Sequence, residues 1–261
     1  MWDSGPPASD PGAPTVLLLH GWTTTAALNW CRCFLPLARA YRVVAPDHRG
    51  HGRGIRSLRP FTLEDCADDA ASLLRVLRTG PAVIVGYSMG GPVAQLVWRR
   101  HPEMVHGLVM CATAAHFGGS PLPPRATRAI GVGLSLAVAA IPVEVRAEGL
   151  RRLGLARDTS ELAPWAVAET GIGDPAALVQ AGAALAAFDS RAWIGRVDVP
   201  TAVVVTTHDT VVAPIRQHGL ARSVAGAASF TVDADHRACV ETADFVATLR
   251  AALELVSPRR P

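Results

Sequence analysis

Short apolar runs alternate with segments of helical periodicity along most of the chain. The runs are continuous rather than alternately apolar and polar, which is typical of strands covered on both faces in a parallel sheet. Strands are predicted at residues 15–19, 41–45, 82–85, 107–111, 201–206 and 229–232.

Between these runs, apolar residues recur three and four positions apart, which indicates amphipathic helices. The clearest of these helices begins at Leu63, where Thr62 and Asp65 form a predicted capping box. Similar stripes occupy residues 93–97 and 245–256. The alternation of strands and helices predicts an α/β fold, with a mostly parallel sheet flanked by helices.

The alternation stops between residues 115 and 196, which are rich in Ala and Leu, are interrupted by Pro and contain no clear strand. We interpret this stretch as a helical cap insertion over one edge of the sheet. Residues 1–114 and 197–261 then form the core domain. The most apolar part, residues 129–143, is shorter than the roughly 20 residues of a membrane-spanning helix and fits a buried or interfacial segment.

Composition narrows the class of protein. Hydrophobic residues make up 49% of the chain and charged residues 18%, so the chain can bury a sizeable core. Its net charge of +3 comes from scattered arginines and does not suggest nucleic-acid binding, and the lack of lysine excludes a catalytic lysine. Five scattered cysteines without zinc spacing, and no targeting segment, favour a cytoplasmic protein with reduced thiols.

The strongest chemical signal is the segment Gly86-Tyr87-Ser88-Met89-Gly90-Gly91. It lies between a predicted strand and a helical pattern, which is the context of a G-x-S-x-G nucleophile turn. Glycines on both sides leave room for a strained serine, and the helix N-terminus favours developing negative charge. Ser88 is therefore the predicted nucleophile. The alternative is a Gly- and Ser-rich turn without chemistry.

A nucleophilic serine needs a base that is oriented by an acid. In G-x-S-x-G enzymes the acid and then the histidine follow the serine along the chain. Asp209 follows the strand predicted at 201–206, and His236 precedes the last helix, so they are the predicted acid and base. Asp233 and Asp235 are rival acids within the histidine's own loop. The rival histidines are His101, His116, His208 and His218.

An oxyanion hole needs two backbone N–H groups directed at the developing charge. We expect one from Met89, directly after the nucleophile. The second is expected from Trp22, in the loop after the first parallel strand, with its ring lining the acyl site. A turn with a buried indole is the alternative for Trp22, and His20 is expected to be structural.

The segment Asp47-His48-Arg49-Gly50-His51-Gly52 offers two histidines and an aspartate, which could suggest metal ligation. It has no companion cluster, and its glycines describe a tight loop. We therefore expect no metal site, with Asp47 and Arg49 hydrogen-bonding the loop beneath the active site.

Together, these motifs resemble the α/β-hydrolase fold superfamily over nearly the whole chain. The segments 20–22, 47–52 and 86–91, followed by Asp209 and His236, match it in order and spacing. Relatives that open epoxides or remove halides carry Asp at the nucleophile position, so Ser88 disfavours those reactions. Members usually have an N-terminal β-hairpin, but only 14 residues precede the first predicted strand. Residues 2–5 could form the tail of the hairpin's second strand, but its first strand has no room. The hairpin is therefore absent or truncated, or the sequence starts too late, and we expect a frayed N-terminus and a less protected sheet edge.

The resemblance implies a serine hydrolase that cleaves a small-to-medium hydrophobic carboxylic ester through an acyl-enzyme, without a cofactor. The apolar insertion supports an uncharged substrate, with Trp22, Phe117, Leu134 and Trp165 as candidate pocket residues, although they could serve packing alone. A lipase at a lipid surface, a lactonase, a carbon–carbon bond hydrolase or a cofactor-free perhydrolase would use the same three residues. A non-catalytic small-molecule-binding protein is a further alternative. The expected partner is a small ester, without nucleic acid or an integral membrane span, and the oligomeric state is left open.

Overall fold

The structure is a computed structural model of the 261-residue chain. It describes residues 1–57, 59–118, 123–139, 165, 168–169 and 172–258. Part of the predicted cap, including the end of the apolar segment 129–143, therefore lies outside the described residues.

A seven-stranded sheet forms the centre of the described part of the chain. Its strands are β1 (Trp2–Asp3), β2 (Thr15–Leu19), β3 (Arg42–Ala45), β4 (Ala82–Tyr87), β5 (Val105–Cys111), β6 (Thr201–Thr206) and β7 (Ala228–Val232). Their order across the sheet is β1-β3-β2-β4-β5-β6-β7, with β1 antiparallel to β3 and all other pairs parallel. The predicted α/β fold with a mostly parallel sheet is confirmed.

Helices cover both faces of this sheet. They are α1 (Ala26–Trp30), α2 (Phe34–Ala38), α3 (Leu63–Val76), α4 (Gly90–Arg100), α5 (Pro124–Ala139), α6 (Pro175–Ala186), α7 (Pro214–Ser223), α8 (Ala238–Glu241) and α9 (Ala243–Val256). The predicted capping box at the start of α3 is present, because Thr62 and Asp65 each bond the other's backbone N–H. Among the described helices, none has the length and apolar character needed to cross a bilayer.

The continuous apolar runs arise because successive side chains of a strand enter two different cores. In β2, Leu17 and Leu19 pack in the core that contains α3 and α4. Val16 and Leu18 pack in the opposite core, with α1, α2 and α9. All four side chains are fully buried. Burial on both faces leaves no polar position in the strand, which is why the sequence shows no alternation.

The N-terminus differs from the expected frayed segment. Residues 1–14 contain no two-stranded hairpin, but Trp2–Asp3 pairs with β3 as a short edge strand. The Asp3 carboxylate accepts a salt bridge of 2.7 Å from Arg42, and the Trp2 ring lies 3.9 Å from that of Phe34. These contacts hold the segment on the sheet edge, so the expectation of fraying is wrong.

Between β5 and β6 the chain forms a helical insertion that includes α5 and α6. The two helices pack closely, since a Cβ atom added to Gly131 of α5 would lie 2.1 Å from the Ala183 Cβ of α6. The insertion contacts the core where the Trp22 indole donates a 2.8 Å hydrogen bond to the Leu178 carbonyl of α6. The predicted bounds of the cap, residues 115–196, stay a prediction.

Candidate active site

Ser88 lies in the sharp turn between β4 and α4, with a left-handed φ of +51°. Its N–H donates to the Cys111 carbonyl at 2.9 Å, and its own carbonyl accepts from the Thr113 hydroxyl at 2.8 Å. A non-glycine residue in this conformation is strained and persists only when its surroundings hold it. The β5 end supplies that support for Ser88.

The two outer glycines of the turn are required by close backbone contacts. A Cβ atom on Gly86 would lie 2.2 Å from the Gly90 carbonyl oxygen. A Cβ atom on Gly90 would lie 2.1 Å from the Leu19 carbonyl oxygen. Any larger residue would push β4, α4 and the end of β2 apart, so these glycines fix where Ser88 sits.

The carboxyl ends of three strands bring Ser88, His236 and Asp209 together. The His236 Nε2 atom lies 3.0 Å from Ser88 Oγ, and its Nδ1 atom lies 2.7 Å from Asp209 Oδ2. Ser88 and Asp209 are buried, whereas the His236 side chain is 20% exposed. An imidazole in this position can accept the serine proton while the carboxylate stabilises the resulting positive charge.

The Asp209 carboxylate is held by further donors on both oxygens. Oδ1 accepts from the N–H groups of Val211 and Val212, each at 2.8 Å. Oδ2 accepts from the Thr206 hydroxyl at 2.8 Å and from the Gln217 side-chain amide at 3.1 Å. These donors orient the carboxylate towards His236.

The pKa of Asp209 reflects two opposing influences. Burial is the larger single cause and raises the pKa, but hydrogen bonds and the charge interaction with His236 lower it, and the result is a pKa below the usual value. The donors from Val212 and Thr206 act in the same direction. Asp209 is therefore an anion at neutral pH.

Polar contacts that the sequence did not predict support this arrangement. The Tyr87 hydroxyl donates to the His236 carbonyl at 2.9 Å and so restrains the backbone of the histidine loop. Thr206 and Gln217 were also missed. Gln217 lies eight residues after Asp209, in the first turn of α7, and the sequence carries no signal that would have identified it.

The predicted oxyanion residue Met89 and the loop that carries Trp22 both lie beside the serine. Met89 follows Ser88 directly and is fully buried. A Cβ atom on Gly21 would lie 3.4 Å from the Ser88 Cβ, so the loop that carries Trp22 passes beside the serine. The Trp22 side chain is 43% exposed and lies against α6 at Gly182, which differs from a fully buried indole.

Several rival acids and histidines are engaged with other partners. Asp233 pairs with His208 at 2.7 Å on the surface. Asp235 accepts from the Arg237 N–H at 2.7 Å, within its own turn. His101 pairs with Asp68 at 2.7 Å.

The polar segment 47–52 is a tightly bonded loop. Asp47 accepts from the N–H groups of Ala26 and Arg53 at 2.7 and 2.8 Å. Arg49 forms a bidentate ion pair with Asp69 of α3, at 2.6 and 2.7 Å. Within the part of the chain that the structure describes, no three metal-ligating side chains are grouped for an ion.

The other candidate pocket residues lie on or near the insertion. Phe117 is partly buried against the core, with the Arg216 guanidinium 5.9 Å from its ring centre. Leu134 and Trp165 are 54% and 37% exposed, so neither is a packed core residue. Their part in binding stays a prediction.

Comparison with known proteins agrees with this fold. Residues 14–240 match the family model described as "alpha/beta hydrolase fold". The chain belongs to this family, and the predicted hydrolase class is confirmed.

Among the curated relatives, a pimeloyl-[acyl-carrier protein] methyl ester esterase of Chromobacterium violaceum is 31% identical over 203 residues, which cover 76% of this chain and 77% of that protein. A hydrolase from Pseudomonas aeruginosa is similar in structure, with a TM-score of 0.78 and 27% identity over 95% of this chain and 91% of its own. The enol-lactonase of Burkholderia xenovorans has a TM-score of 0.75 and 26% identity, over 93% of this chain and 92% of that one.

Proposed function

We propose that this protein is a serine hydrolase that cleaves small-to-medium hydrophobic carboxylic esters through an acyl-enzyme intermediate. The observation that carries the proposal is the continuous hydrogen-bonded chain from Ser88 Oγ through His236 to Asp209. The esterase named among the relatives supports the bond type.

In the proposed reaction, His236 takes the Ser88 proton as the hydroxyl oxygen attacks the ester carbonyl. Asp209 keeps the imidazole in the tautomer that presents Nε2 to the serine, and it stabilises the imidazolium. The imidazolium then gives its proton to the leaving alcohol. In the second half, His236 takes a proton from water as the water oxygen attacks the acyl-enzyme, and the imidazolium returns that proton to Ser88 Oγ as the bond to the acyl group breaks and the acid leaves.

The amides of Met89 and Trp22 bind the oxyanion in this proposal. Each such donor contributes about 3 kcal/mol to transition-state stabilisation in comparable sites. The position of both residues beside Ser88, and the adjacent N-terminus of α4, support the assignment. No metal or organic cofactor takes part in the proposed cycle.

The insertion is proposed to supply the acyl pocket, with Trp22, Phe117, Leu134 and Trp165 facing the substrate. The exposed apolar side chains Leu134 and Trp165 support a hydrophobic substrate, because apolar surface of this kind binds apolar groups.

Replacement of the nucleophile tests the reaction directly. Ser88→Ala is expected to abolish hydrolysis of p-nitrophenyl butyrate and labelling by a fluorophosphonate probe, because both need the serine oxygen. Thr207→Ala, which removes an exposed hydroxyl bonded to Asp233 beyond the site, is the matched control and should keep both. Ester turnover by Ser88→Ala would contradict the proposal.

A chain-length series tests the substrate class. With p-nitrophenyl esters of two to twelve carbons, kcat/KM is expected to peak at a short or medium acyl chain. Each added methylene that the apolar pocket buries strengthens binding, and this gain stops once the pocket is filled. A strong preference for a charged acid part would contradict the proposal. A steep rise in rate on micelles would indicate a lipase instead.

Lactone hydrolysis is a second candidate reaction, supported by the structural similarity to an enol-lactonase. The same attack on a cyclic ester opens the ring, and the hydroxyl leaving group stays on the acyl product. Five- and six-membered lactones assayed beside the linear esters separate the two, since a lactonase turns over the cyclic substrates with the higher kcat/KM.

A further inference from the structure

We propose that His20 is a positioning residue that aims the Trp22 N–H group at the oxyanion. This inference rests on the proposed function, in which the Trp22 amide binds the oxyanion during ester hydrolysis. His20 lies directly after β2 and is fully buried, yet the proposed reaction does not use it.

The argument begins with one peptide group. The Gly21 carbonyl and the Trp22 N–H belong to the same planar unit, and in a trans peptide they point in opposite directions. The His20 Nδ1 atom lies 2.7 Å from the Gly21 carbonyl oxygen. A hydrogen bond that holds this oxygen therefore fixes the direction of the Trp22 N–H.

The hydrogen bond of the second ring nitrogen of His20 determines which of the two nitrogens carries the proton. Its Nε2 atom accepts a 2.9 Å hydrogen bond from the His48 N–H, so Nε2 carries no proton. The neutral ring must then carry its proton on Nδ1, where it donates to Gly21. Burial, and then the neighbouring His48 and His51, hold the pKa of His20 well below its usual value, which keeps this neutral form.

The preceding peptide group, which joins His20 to Gly21, is held as well. The Gly21 N–H donates to the Asn29 side-chain oxygen at 3.0 Å. Gly21 is close enough to Ser88 that an added Cβ atom would lie 3.4 Å from the serine Cβ. The peptide groups on both sides of the Gly21 Cα are thus held beside the serine, and His20 supplies the hydrogen bond that sets the direction of the Trp22 N–H.

Three substitutions separate the two hydrogen bonds of His20. His20→Asn keeps a donor near the Nδ1 position, His20→Gln places an acceptor near Nε2 without the donor to Gly21, and His20→Leu removes both. The readouts are kcat and KM for p-nitrophenyl butyrate, the Ki of an aliphatic trifluoromethyl ketone, and the melting temperature. This ketone forms a hemiketal with a serine, and its oxyanion occupies the same hole as the transition state.

His20→Leu and His20→Gln are expected to lower kcat roughly 10–100-fold, below the ~10²–10³-fold loss of a whole donor, because the amide is misdirected rather than removed. KM should change less than about threefold, and Ki should rise by the same factor as kcat/KM falls. His20→Asn should recover at least about tenfold of the loss.

His51→Leu is the matched control, because His51 belongs to the same buried histidine cluster but bonds the Arg49 carbonyl instead of Gly21. It should lower the melting temperature and leave the ketone Ki unchanged. An equal loss of ketone affinity in His51→Leu, or no advantage of His20→Asn over His20→Gln, would overturn the inference. Since both His20 variants in that comparison are polar, it holds even if His20→Leu does not fold.

Failure of this inference differs from failure of the proposed function. If Ser88→Ala loses all activity while His20→Leu, folded, keeps the wild-type kcat and ketone Ki, only the positioning assignment is wrong. If Ser88→Ala keeps its activity, the proposed function itself is wrong.

Discussion

Asp209 is the residue with the densest set of hydrogen bonds in the site. Two backbone N–H groups bind Oδ1, and His236, Thr206 and Gln217 all donate to Oδ2. Because Thr206 and Gln217 donate to the same Asp209 oxygen as His236, the negative charge of that oxygen is shared among three donors. The strength of the Asp209–His236 contact is therefore set by residues outside the three that carry the proposed reaction.

Thr206→Val tests this sharing of charge with a nearly isosteric change. Loss of the hydroxyl leaves Asp209 with a higher pKa and a stronger pull on the imidazolium, so the acid limb of the kcat/KM pH profile should move to higher pH. The free energy of unfolding should fall by about 1.5–3 kcal/mol, the usual value of a hydrogen bond to a charged group. Profiles of both proteins between pH 4 and 9 provide the measurement.

Thr206→Ser keeps the hydroxyl and is the control for this substitution. Its acid limb should coincide with that of the unsubstituted protein. A Thr206→Val profile that also coincides would mean that the hydroxyl has no influence on the pair.

At the scale of elements, the loop after β3 is the platform on which the insertion rests. The Asp174 N–H donates to the Gly50 carbonyl at 3.0 Å, just before α6. Arg53 pairs with the Glu169 carboxylate at 2.9 Å, and that carboxylate also accepts from the Thr25 hydroxyl at 2.9 Å. The same loop therefore contacts both the insertion and the segment that follows the Trp22 loop.

Gly50→Ala should loosen this contact. Gly50 has a φ of +77°, and an added Cβ atom would lie 2.3 Å from the Ala177 Cβ of α6. We expect a lower melting temperature and a raised KM for long-chain esters, because α6 must move away from the loop. Kinetics over the ester series and thermal unfolding measure both effects.

Gly80→Ala is the matched control, since Gly80 has a φ of +69° but no heavy atom within 4 Å of an added Cβ. It isolates the cost of a left-handed alanine, about 1 kcal/mol. KM should stay unchanged in this variant. Equal effects of the two substitutions would show that the contact with Ala177 is unimportant.

The accuracy of the sequence-based predictions follows the length and burial of each element. Two of the six predicted strands, 15–19 and 201–206, have the observed bounds, because both are buried on each face and end abruptly. β1 was expected only as a possible strand tail at residues 2–5, since two exposed residues carry no periodicity and their pairing depends on Arg42 far along the chain. The short helices α1 and α2 were missed because five residues are too few to show a helical period.

Within the site, strand ends explain what could be predicted. Ser88, Asp209 and His236 each follow a predicted strand, and parallel strands bring their carboxyl ends to one edge. The contacts of Tyr87, Thr206 and Gln217 depend on the approach of distant segments, which local periodicity does not encode. His20 was expected to be structural, but its bond to Gly21 is visible only in three dimensions.

At the scale of the whole molecule, three buried histidines link stability to pH. The rings of His20 and His48 lie 4.4 Å apart, and those of His20 and His51 lie 5.3 Å apart. Burial lowers the pKa of His48 to about 3 and that of His51 to about 4, with a neighbouring histidine adding to the effect on His48. The Nε2 atoms of His48 and His51 have no hydrogen-bond partner among the described residues.

These pKa shifts predict loss of the fold in mild acid. The folded-state values lie below the unfolded value of about 6.5, so the stabilisation is fully present above pH ~6.5 and is lost as pH falls towards ~4. Each histidine that is neutral in the folded state and charged in the unfolded state lowers the free energy of unfolding by about 1.4 kcal/mol for every pH unit of acidification in that range. His48 and His51 alone lower the free energy of unfolding by roughly 4 kcal/mol by about pH 5, and His20 acts in the same direction, so the loss is a large part of the whole stability of an ordinary domain.

Urea unfolding between pH 4.5 and 8 measures this dependence. The free energy of unfolding should be flat above pH ~7 and then fall with a slope of about 2.7 kcal/mol per pH unit from the two protons of His48 and His51, made steeper by His20. His51→Leu should reduce the slope by about one proton, because the substituted protein binds one fewer on unfolding. Carboxylates with lowered pKa values, such as Asp209, act mainly below pH ~5, so the fall in stability between pH 7 and 5 comes from the histidines. Equal slopes for His51→Leu and the unsubstituted protein would mean that His51 keeps its proton when folded, contrary to its buried, uncharged state.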